Sequence, residues 1–249
     1  MGTPTPQRRA EIARLLARSG AVRVADLAAR FGTSEPAIRR DLEWLEAQGL
    51  ARRIRGGAVA TRPPADSPPS PDAVPVRIGR AAAGLVRAGE TVFIGPGPLA
   101  LEVARALSDH PPLTIVTNGL SIARQIADHT SHTLILTGGQ LERAEGELTG
   151  HLTRSALESL RADRVVLELG GVDAAEGLTD DRLSQAELAR MLFQRGLQVV
   201  VLVPPERVGR VAAAYIGPVT DADVIVTARE ADSAPLWDLA ETGVRVLLA

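Results

Sequence analysis

A proline-rich segment in the first third of the chain most constrains its fold. Six of the fifteen residues 61–75 are proline, and none of the fifteen is aromatic. Because proline has a fixed φ and no amide hydrogen, such a segment favours extended polyproline-II structure over a helix or a central strand. We therefore predict a linker at 61–75 between a small domain at 5–60 and a larger domain at 76–249.

The two parts of the chain carry opposite net charges. Residues 1–62 hold 12 Arg and 6 acidic residues, a net charge of +6, whereas residues 63–249 hold 16 Arg and 24 acidic residues, a net charge of −8. A basic module on an acidic carrier is typical of a protein that binds a polyanion with one domain only. All 28 basic residues are Arg, so a single arginine is weak support for any site.

Composition excludes several classes of protein. The absence of cysteine rules out disulfides, thiolate metal sites and cysteine nucleophiles. Aromatic residues make up 2% of the chain, too few for single-strand binding by base stacking. No apolar run approaches the roughly 18 residues of a membrane span, and no signal peptide is recognisable. We therefore expect a soluble cytoplasmic protein without a membrane partner.

Apolar residues at helical spacing predict three helices in the first domain, at about 7–18, 24–31 and 34–48. Gly32 is the expected left-handed residue after the second helix, and Ser34 is the expected N-cap of the third. Residues 50–60 predict two short strands around a Gly56-Gly57 turn. Two helices about three residues apart, followed by this hairpin, predict a winged helix-turn-helix.

The third predicted helix presents arginines on the side opposite its apolar residues. With Ile38 facing inward, Arg40 points outward and Arg39 lies on the flank, where a recognition helix meets base edges and phosphates. Three wing arginines are expected to contact the DNA backbone or minor groove: Arg52, Arg53 and Arg55. The alternative is a solvated face in an Arg-rich protein. Asp41 is interpreted as an arginine partner that orients the helix.

Several runs in the first domain form a specific pattern, namely Gln7-Arg8-Arg9, Val24-Ala25-Asp26-Leu27-Ala28, Phe31-Gly32, Ile38-Arg39-Arg40-Asp41-Leu42 and Gly56-Gly57-Ala58. With these runs the domain resembles the DeoR family of bacterial transcription regulators, which implies binding to double-stranded DNA. The residues expected at the DNA are Ser34, Glu35, Ala37, Arg39, Arg40, Arg52, Arg53, Arg55, Gly56 and Gly57. The family usually carries Thr where this chain has Ala37, which removes a hydroxyl contact.

After residue 76, short apolar segments alternate with helical ones. Strands are predicted at 91–94, 113–116, 133–136, 164–169, 198–203 and 224–226. Helices are predicted at 77–87, 99–107, 121–128, 153–160, 182–195 and 234–240. This alternation predicts a doubly wound, mostly parallel α/β sheet. Four of the strand ends carry glycine, at 95–97, 117–119, 137–139 and 170–171. Such ends favour a ligand pocket, although glycine after a strand is also an ordinary turn.

The larger domain contains the runs Val116-Thr117-Asn118, Leu136-Thr137-Gly138-Gly139, Gly170-Gly171-Val172-Asp173 and Gly177-Leu178-Thr179. These resemble the sugar-phosphate sensor domain of the DeoR family, whose fold is like that of ribose-5-phosphate isomerase. The resemblance implies a small-molecule effector site at Gly95, Gly97, Asn118, Gly138, Gly139, Gly171, Asp173, Thr179, Arg190 and Arg207.

Departures from the family pattern fall where the phosphate of an effector should bind. The family's Asp-Ser-Gly-Thr-Thr loop is here Gly95-Pro96-Gly97-Pro98-Leu99, which has no hydroxyl and loses an amide donor at each proline. The family's Asp-x-x-Lys is here Pro204-Pro205-Glu206-Arg207, and the acid usual before Ala186 is here Gln185. We expect ordinary sugar phosphates to bind poorly, at millimolar levels if at all.

Three functional hypotheses follow. The leading one is a DNA-binding transcriptional regulator, a repressor of a carbohydrate or related metabolic operon, that acts as a homo-oligomer under control of a small metabolite. The rival is a sugar-phosphate isomerase-like enzyme, with Glu168, Asp173, Asp180, Asp181 and Glu187 as its available carboxylates. The third is an effector-independent regulator whose sensor has decayed. No metal or cofactor is expected, since the histidines show no metal-ligand spacing: His110, His129, His132 and His151.

Overall fold

The computed structural model of the chain describes residues 5–19, 21–47, 50–54, 56–60, 70–195 and 198–249. The chain separates into two compact units, with the boundary between Pro69 and Ser70. Residues 61–69 of the expected linker lie outside the described residues. The first helix of the second unit already begins at Val74, within the expected linker, and Pro75 occupies the first turn, where its missing amide hydrogen costs nothing.

The described part of the first unit holds three helices and a small antiparallel sheet. Its elements are α1 (Thr5–Ser19), β1 (Ala21–Arg23), α2 (Val24–Phe31), α3 (Glu35–Ala47), β2 (Ala51–Ile54) and β3 (Gly57–Ala60). Its core consists of the apolar residues at helical spacing, among them Ile12, Leu16, Leu27, Ile38, Leu42 and Leu45. Gly32 ends α2 with φ 59°, the left-handed conformation expected of it. The winged helix-turn-helix prediction is confirmed.

Strand β1 is a feature that sequence reasoning missed, because three residues with one half-buried side chain carry no periodic signal. It pairs antiparallel with β3, which also pairs with β2. Gly57 is buried opposite Arg23 in the sheet, and a Cβ there would overlap the carbonyl of Val22; its contact with DNA stays a prediction. Glycine at 57 therefore permits strand pairing.

The second unit alternates strands and helices along most of its length. Its elements are α4 (Val74–Ala83), β4 (Thr91–Ile94), α5 (Pro98–Ala106), β5 (Thr114–Thr117), α6 (Leu120–His129), β6 (Thr133–Leu136), β7 (Gln140–Glu142), β8 (Glu147–Thr149), α7 (His151–Glu158), β9 (Arg164–Glu168), β10 (Gly171–Asp173), β11 (Gly177–Asp180), α8 (Leu183–Phe193), β12 (Val199–Leu202), β13 (Ala214–Gly217), β14 (Val224–Thr227), α9 (Ser233–Glu241) and β15 (Arg245–Leu248).

The centre of this unit is a parallel sheet that, within the described residues, has seven strands in the order β15-β14-β12-β9-β4-β5-β6. Consecutive residues of one strand face opposite layers. In β12, Val200 packs with Ile78 and Val103 of α4 and α5, whereas Val201 packs in the cluster that contains Leu192 of α8 and Leu239 of α9. Helices cover both faces, so the doubly wound α/β prediction is confirmed.

Strand order reverses between β4 and β9. The chain proceeds from β4 to β5 and β6 on one side, and then returns through β9 to β12, β14 and β15 on the other. In open α/β sheets the crevice beyond the carboxyl ends at such a reversal is the usual ligand site. The glycine-bearing segments 95–97 and 170–171 follow the two strands that flank this point.

Two smaller sheets lie outside the alternation: the hairpin β7-β8 and the sheet β10-β11-β13. Sequence reasoning missed these strands and β15, because each has three or four residues and begins or ends with Gly, Asp, Glu or Arg, which leaves too few apolar residues to show a period. No helix in the described part of the chain has the length and apolar character needed to cross a membrane. Within the same residues, no three acidic or histidine side chains lie close enough together to hold a metal ion.

Candidate functional site

Helix α3 exposes two arginines near its N-terminus. The carbonyl of Ser34 accepts hydrogen bonds from the amides of Ala37 (3.0 Å) and Ile38 (3.2 Å), which starts the helix where the sequence places its cap. Ile38 is fully buried, whereas Arg39 and Arg40 are exposed on the other side. The outward orientation of the arginines agrees with the sequence-based prediction.

The bonds that hold these arginines are weak. Arg39 Nη2 lies 3.0 Å from Oε2 of Glu35, one turn earlier, and Arg40 Nε donates to the carbonyl of Pro36 at 3.4 Å. A solvent-exposed i,i+4 ion pair contributes about 0.3–0.5 kcal/mol. Both guanidinium groups can therefore leave these partners for a phosphate or a base edge at small cost.

The buried carboxylate of Asp41 fixes α3 to α1. Its two oxygens accept hydrogen bonds from Arg8 Nε (2.6 Å) and Arg9 Nε (2.9 Å). The guanidinium of Arg9 also lies 4.9 Å from the ring centroid of Trp44, a cation–π contact. Asp41 is 1% exposed, so it cannot contact DNA itself. Its interpretation as the arginine partner that orients α3 is confirmed.

Asp41→Ala should lower the free energy of unfolding of the first unit by about 3 kcal/mol, because it removes one carboxylate from two guanidinium groups, one of them buried. Urea unfolding followed by Trp44 fluorescence, in a Trp237→Phe background, measures this unit. Glu11→Ala is the control: its ion pairs with Arg14 and Arg30 are exposed, and we expect a change below about 0.5 kcal/mol. Equal effects of the two substitutions would contradict the anchoring role.

Ion pairs and a hydrogen bond of Arg53, one of the arginines predicted to contact DNA, link the wing to α3. The guanidinium of Arg53 bonds Glu43 and also lies 3.3 Å from Glu46, and its amide donates to Glu46 at 2.8 Å. In the free protein Arg53 therefore positions β2 against α3, and its contact with DNA stays a prediction. Arg52 is exposed and Gly56 turns the wing with φ 83°. Arg55 lies outside the described residues.

In the second unit, the loop after β4 does not present an open anion site. Gly97 has φ 141° and leads into α5, whose first residue is Pro98. The carboxylate of Glu168, at the end of β9, accepts a hydrogen bond from the amide of Leu99 at 2.8 Å. A Cβ at residue 97 would collide with this carboxylate, so Gly97 makes room for it. A side chain of this protein thus occupies the N-terminus of α5.

Glu168 lies in a partly desolvated environment. Burial raises the pKa of its carboxyl group, while the Leu99 amide and the nearby charge of Arg207 act in the opposite direction. Arg207, a predicted effector residue, is therefore beside the crevice, where its Nη1 also contacts the carbonyl of Leu169 at 3.4 Å. The positive charge of Arg207 therefore stabilises the negative charge of the Glu168 carboxylate.

A cavity of about 280 Å³ lies next to this crevice, between β8, α7 and α8. Among its lining residues are Asn118, Glu147, Thr153 and Gln185. Asn118 is completely buried, and its Nδ2 donates to the carbonyl of Leu148 at 3.1 Å. Within the described residues, its Oδ1 has no hydrogen-bond partner. Asn118, one of the predicted effector residues, therefore lies in the wall of this cavity.

Glu147 is the acidic residue of this cavity. It is 1% exposed, and its oxygens bond Arg182 Nη1 at 2.8 Å and the side-chain amide of Gln185. Burial raises the pKa of the Glu147 carboxyl, and the charge of Arg182 lowers it in part. Sequence reasoning missed Glu147 because it lies in a three-residue strand outside every recognised run. For Gln185 a signal existed, since it stands where the family has an acid.

Two further predicted effector residues shape the edge of the cavity. The carbonyl of Gly138 accepts a hydrogen bond from Thr153 Oγ1 at 2.7 Å. Gly139 has φ 127°, and a Cβ there would overlap Thr153 and Thr149. These glycines bring the loop after β6 against two threonines of the lining.

Five other predicted effector residues lie elsewhere in the second unit. One of them, Gly95, packs against Leu167. Gly171 and Thr179 belong to the β10-β11 pair, where Thr179 Oγ1 donates to the Gly171 carbonyl at 3.2 Å. The carboxylate of Asp173 closes the following turn by accepting the amides of residues 175 and 176 at 2.9 Å. Arg190 is exposed on α8 and is not part of the cavity lining as the described residues define it. Gly171, Thr179 and Asp173 therefore hold a small sheet together, and the role of these residues in effector binding stays a prediction.

The carboxylates available for acid–base chemistry have structural partners. Asp180 accepts the amides of Gly170 (3.1 Å) and Arg182 (3.0 Å). Asp181 pairs with Arg210, and Glu187 pairs with Arg154. Each group therefore stabilises a turn or an ion pair.

Comparison with known protein families gives two matches. Residues 8–63 match the DeoR-like helix-turn-helix domain, and residues 76–229 match the DeoR C terminal sensor domain. The first match covers nearly all of the described first unit, and the second covers the second unit from α4 to β14, without α9 and β15.

Similar proteins occur in several bacteria. The chain is 30% identical to the transcriptional repressor AccR of Agrobacterium fabrum, over 90% of this chain and 89% of that protein. It is 29% identical to the glycerol-3-phosphate regulon repressor of Escherichia coli, over 89% of this chain and 90% of that protein. Among solved structures, ribose 5-phosphate isomerase A from Methanocaldococcus jannaschii is similar with a TM-score of 0.41 and 13% identity, over 55% of each chain.

Proposed function

Because the chain belongs to the DeoR family of transcriptional regulators, we propose that it is a repressor whose first unit binds duplex DNA and whose second unit senses a small metabolite. Under this proposal the regulated genes form a carbohydrate or related metabolic operon. Support comes from the relatives above, which are both named as repressors, one of them of a glycerol-3-phosphate regulon.

The observation that carries the DNA-binding part is the exposed pair Arg39 and Arg40 on a helix whose opposite side is locked to α1. A recognition helix must present its N-terminal residues to the major groove in a fixed orientation. The Asp41 anchor supplies that orientation, and the weak bonds of the two arginines leave them available.

Selection of bound fragments from a random pool of duplex DNA tests the proposal. We expect enrichment of a defined sequence, and release of that sequence when the correct metabolite is added. Recovery of unenriched DNA would contradict sequence-specific binding. The same fragments then serve as the operator in the experiments below.

A base contact of Arg40 predicts that Arg40→Ala weakens binding to the selected operator by about 1–3 kcal/mol. The same substitution should change the affinity for random DNA much less. Arg52→Ala is the matched comparison, since an exposed wing arginine that contacts phosphate should weaken both complexes equally. Fluorescence anisotropy with both DNAs separates the two cases. An equal loss on both DNAs for Arg40→Ala would show that Arg40 contacts only phosphate.

We also propose that the regulator acts as a homo-oligomer, because two-fold related helix-turn-helix units bind two half-sites about one helical turn apart. Light scattering of the free protein and the spacing of half-sites in the selected operator check this. A monomer on a single half-site would contradict it.

The enzyme alternative has less support. The carboxylates that a general acid–base mechanism needs are engaged with backbone amides or arginines, as described above. We expect no turnover of pentose or hexose phosphates, and robust isomerisation of any of them would overturn the regulator proposal. The effector-independent alternative is disfavoured by the cavity beside Asn118, whose volume of about 280 Å³ has room for a small molecule.

A further inference from the structure

Strand β6 is an open edge of the central sheet. It pairs with β5 on one side, and in the part of the chain that the structure describes no strand pairs with its other side. The amides of Thr133 and Thr137 donate towards β5, at 2.9 and 3.1 Å. Because consecutive residues of a strand direct their backbone groups to opposite sides, those of Leu134 and Leu136 point away from the sheet. The edge therefore offers donors and acceptors to a further strand.

The β6 edge lacks the features that usually protect an exposed strand. Its sequence Thr133-Leu134-Ile135-Leu136 contains no charged residue and no proline, and Leu136 is 43% exposed. The opposite edge strand, β15, begins with the exposed Arg245. Native edge strands commonly carry charges or prolines that prevent pairing with another chain. An apolar edge without them indicates an interface.

Helix α6 adds an apolar surface beside this edge. Ile122 and Ile126 pack in the same cluster as Leu134 of β6. Gln125 donates to Ser108, just beyond α5, at 3.4 Å. The side of α6 opposite Gln125 therefore faces the open edge. It carries the exposed residues Leu120 and Ala127.

A second copy of this chain fits the strand edge and the helix together. Neighbouring strands lie about 4.8 Å apart, and α6 lies over β5 and β6. If two β6 strands pair, the two copies of α6 are therefore about 10 Å apart, close to the usual distance between packed helices. A lone peptide strand would leave Leu120 and Ala127 in water, whereas a second α6 covers them.

Charge also favours a second copy at this surface. Residues 63–249 carry a net charge of −8, so two copies repel each other except where their surfaces are neutral. The exposed Arg124 and Asp128 of α6 form an ion pair at 3.4 Å, which leaves this helix surface without net charge. Two helices related by a two-fold axis run antiparallel here, so the Arg124 end of one copy lies towards the Asp128 end of the other.

We propose that β6 and α6 form an interface between two copies of this chain, in which the two β6 strands pair antiparallel and continue the central sheet across a two-fold axis. The assignment rests on the proposed homo-oligomer and deepens it, since it names the surface that joins the copies. Pairing of identical edges satisfies the outward backbone groups of Leu134 and Leu136 in both copies.

Sedimentation velocity of the full chain tests the assignment with matched substitutions on the two edges. Leu136→Lys and Leu248→Lys each place a charge at the last residue of an edge strand, at positions 43% and 41% exposed. Leu136→Lys brings like charges together across the axis, so it should raise the Kd of one self-association step by about tenfold or more. Leu248→Lys should change that Kd less than about twofold, as expected of an isolated surface substitution.

Circular dichroism checks that both lysine variants are folded. A Kd of Leu136→Lys equal to that of the unmodified protein would overturn the assignment. An equal loss of self-association in both variants would overturn it as well, because the effect would then not depend on the β6 edge.

Cross-linking shows whether a second copy occupies the edge. The chain has no cysteine, so Leu136→Cys and Leu248→Cys each introduce a single thiol. A short bismaleimide should join two Leu136→Cys chains into a covalent dimer much faster than two Leu248→Cys chains. Equal rates for the two variants would show that no second copy lies at β6.

The assigned surface and the proposed function can fail separately. An unmodified chain that is a monomer both in solution and on the selected operator would contradict the homo-oligomer, and this interface with it. An oligomer that Leu136→Lys leaves intact would overturn the assigned surface alone.

Discussion

Affinity for the selected operator should fall about a thousandfold between 50 and 200 mM salt. The first 62 residues carry a net charge of +6, and each phosphate neutralised by the protein releases condensed counterions from the duplex. Six such contacts give a slope of log K against log salt of about −5, which corresponds to this loss over a fourfold change in salt. Anisotropy titrations at four or five salt concentrations measure the slope.

Substitution of single arginines shows which of them contribute to this slope. Arg52→Ala should make it less steep by about one, because Arg52 is exposed on the wing. Arg229→Ala, an exposed arginine in the second unit, should leave it unchanged. A slope near zero for the unmodified protein would exclude phosphate contacts as the main source of affinity, and the DNA-binding proposal with them.

The spacing of apolar residues in the sequence was sufficient to predict the helices and strands that bury a regular apolar face. Ile38, Leu42 and Leu45 recur at helical spacing, and they lie in the core of the first unit as predicted. The six strands predicted in the second domain all occur in the central sheet, for the same reason. The missed strand β1 depends instead on its partner β3: its three residues become a strand only because Gly57 allows the backbones to approach.

The candidate effector site was less predictable, because it depends on side chains brought together from distant parts of the chain. The sequence shows that the loop 95–99 lacks hydroxyls, but not that Glu168, about seventy residues later, fills its amide site. Similarly, Asn118 and Glu147 line the same cavity because two hydrogen bonds join distant segments: the Leu148 amide donates to the Asn118 carbonyl at 2.7 Å, and Asn118 Nδ2 donates to the Leu148 carbonyl at 3.1 Å. Spacing along the sequence contains no signal for such contacts.

The Glu168 carboxylate gives the sharpest test of why phosphorylated sugars should bind poorly. In the unmodified protein we expect millimolar or weaker Kd values for hexose and pentose phosphates. Glu168→Ala removes the attached anion and leaves the Leu99 amide and Arg207 free to bind a phosphate. A charge-assisted hydrogen bond contributes about 1.5–3 kcal/mol, so even one such bond should tighten phosphate-monoester binding by about tenfold to a hundredfold.

Glu168→Gln separates charge from occupancy in the same titration. Glutamine removes the negative charge and keeps an oxygen able to accept the Leu99 amide, so the helix N-terminus stays filled. We therefore expect its affinity for inorganic phosphate and for hexose phosphates to rise much less than that of Glu168→Ala. Circular dichroism of both variants checks that α5 remains folded. A helix N-terminus that a carboxylate already occupies cannot bind a second anion with high affinity. Micromolar binding of any sugar phosphate by the unmodified protein would therefore show that Glu168 does not exclude phosphate. Equally weak binding by all three proteins would show the same.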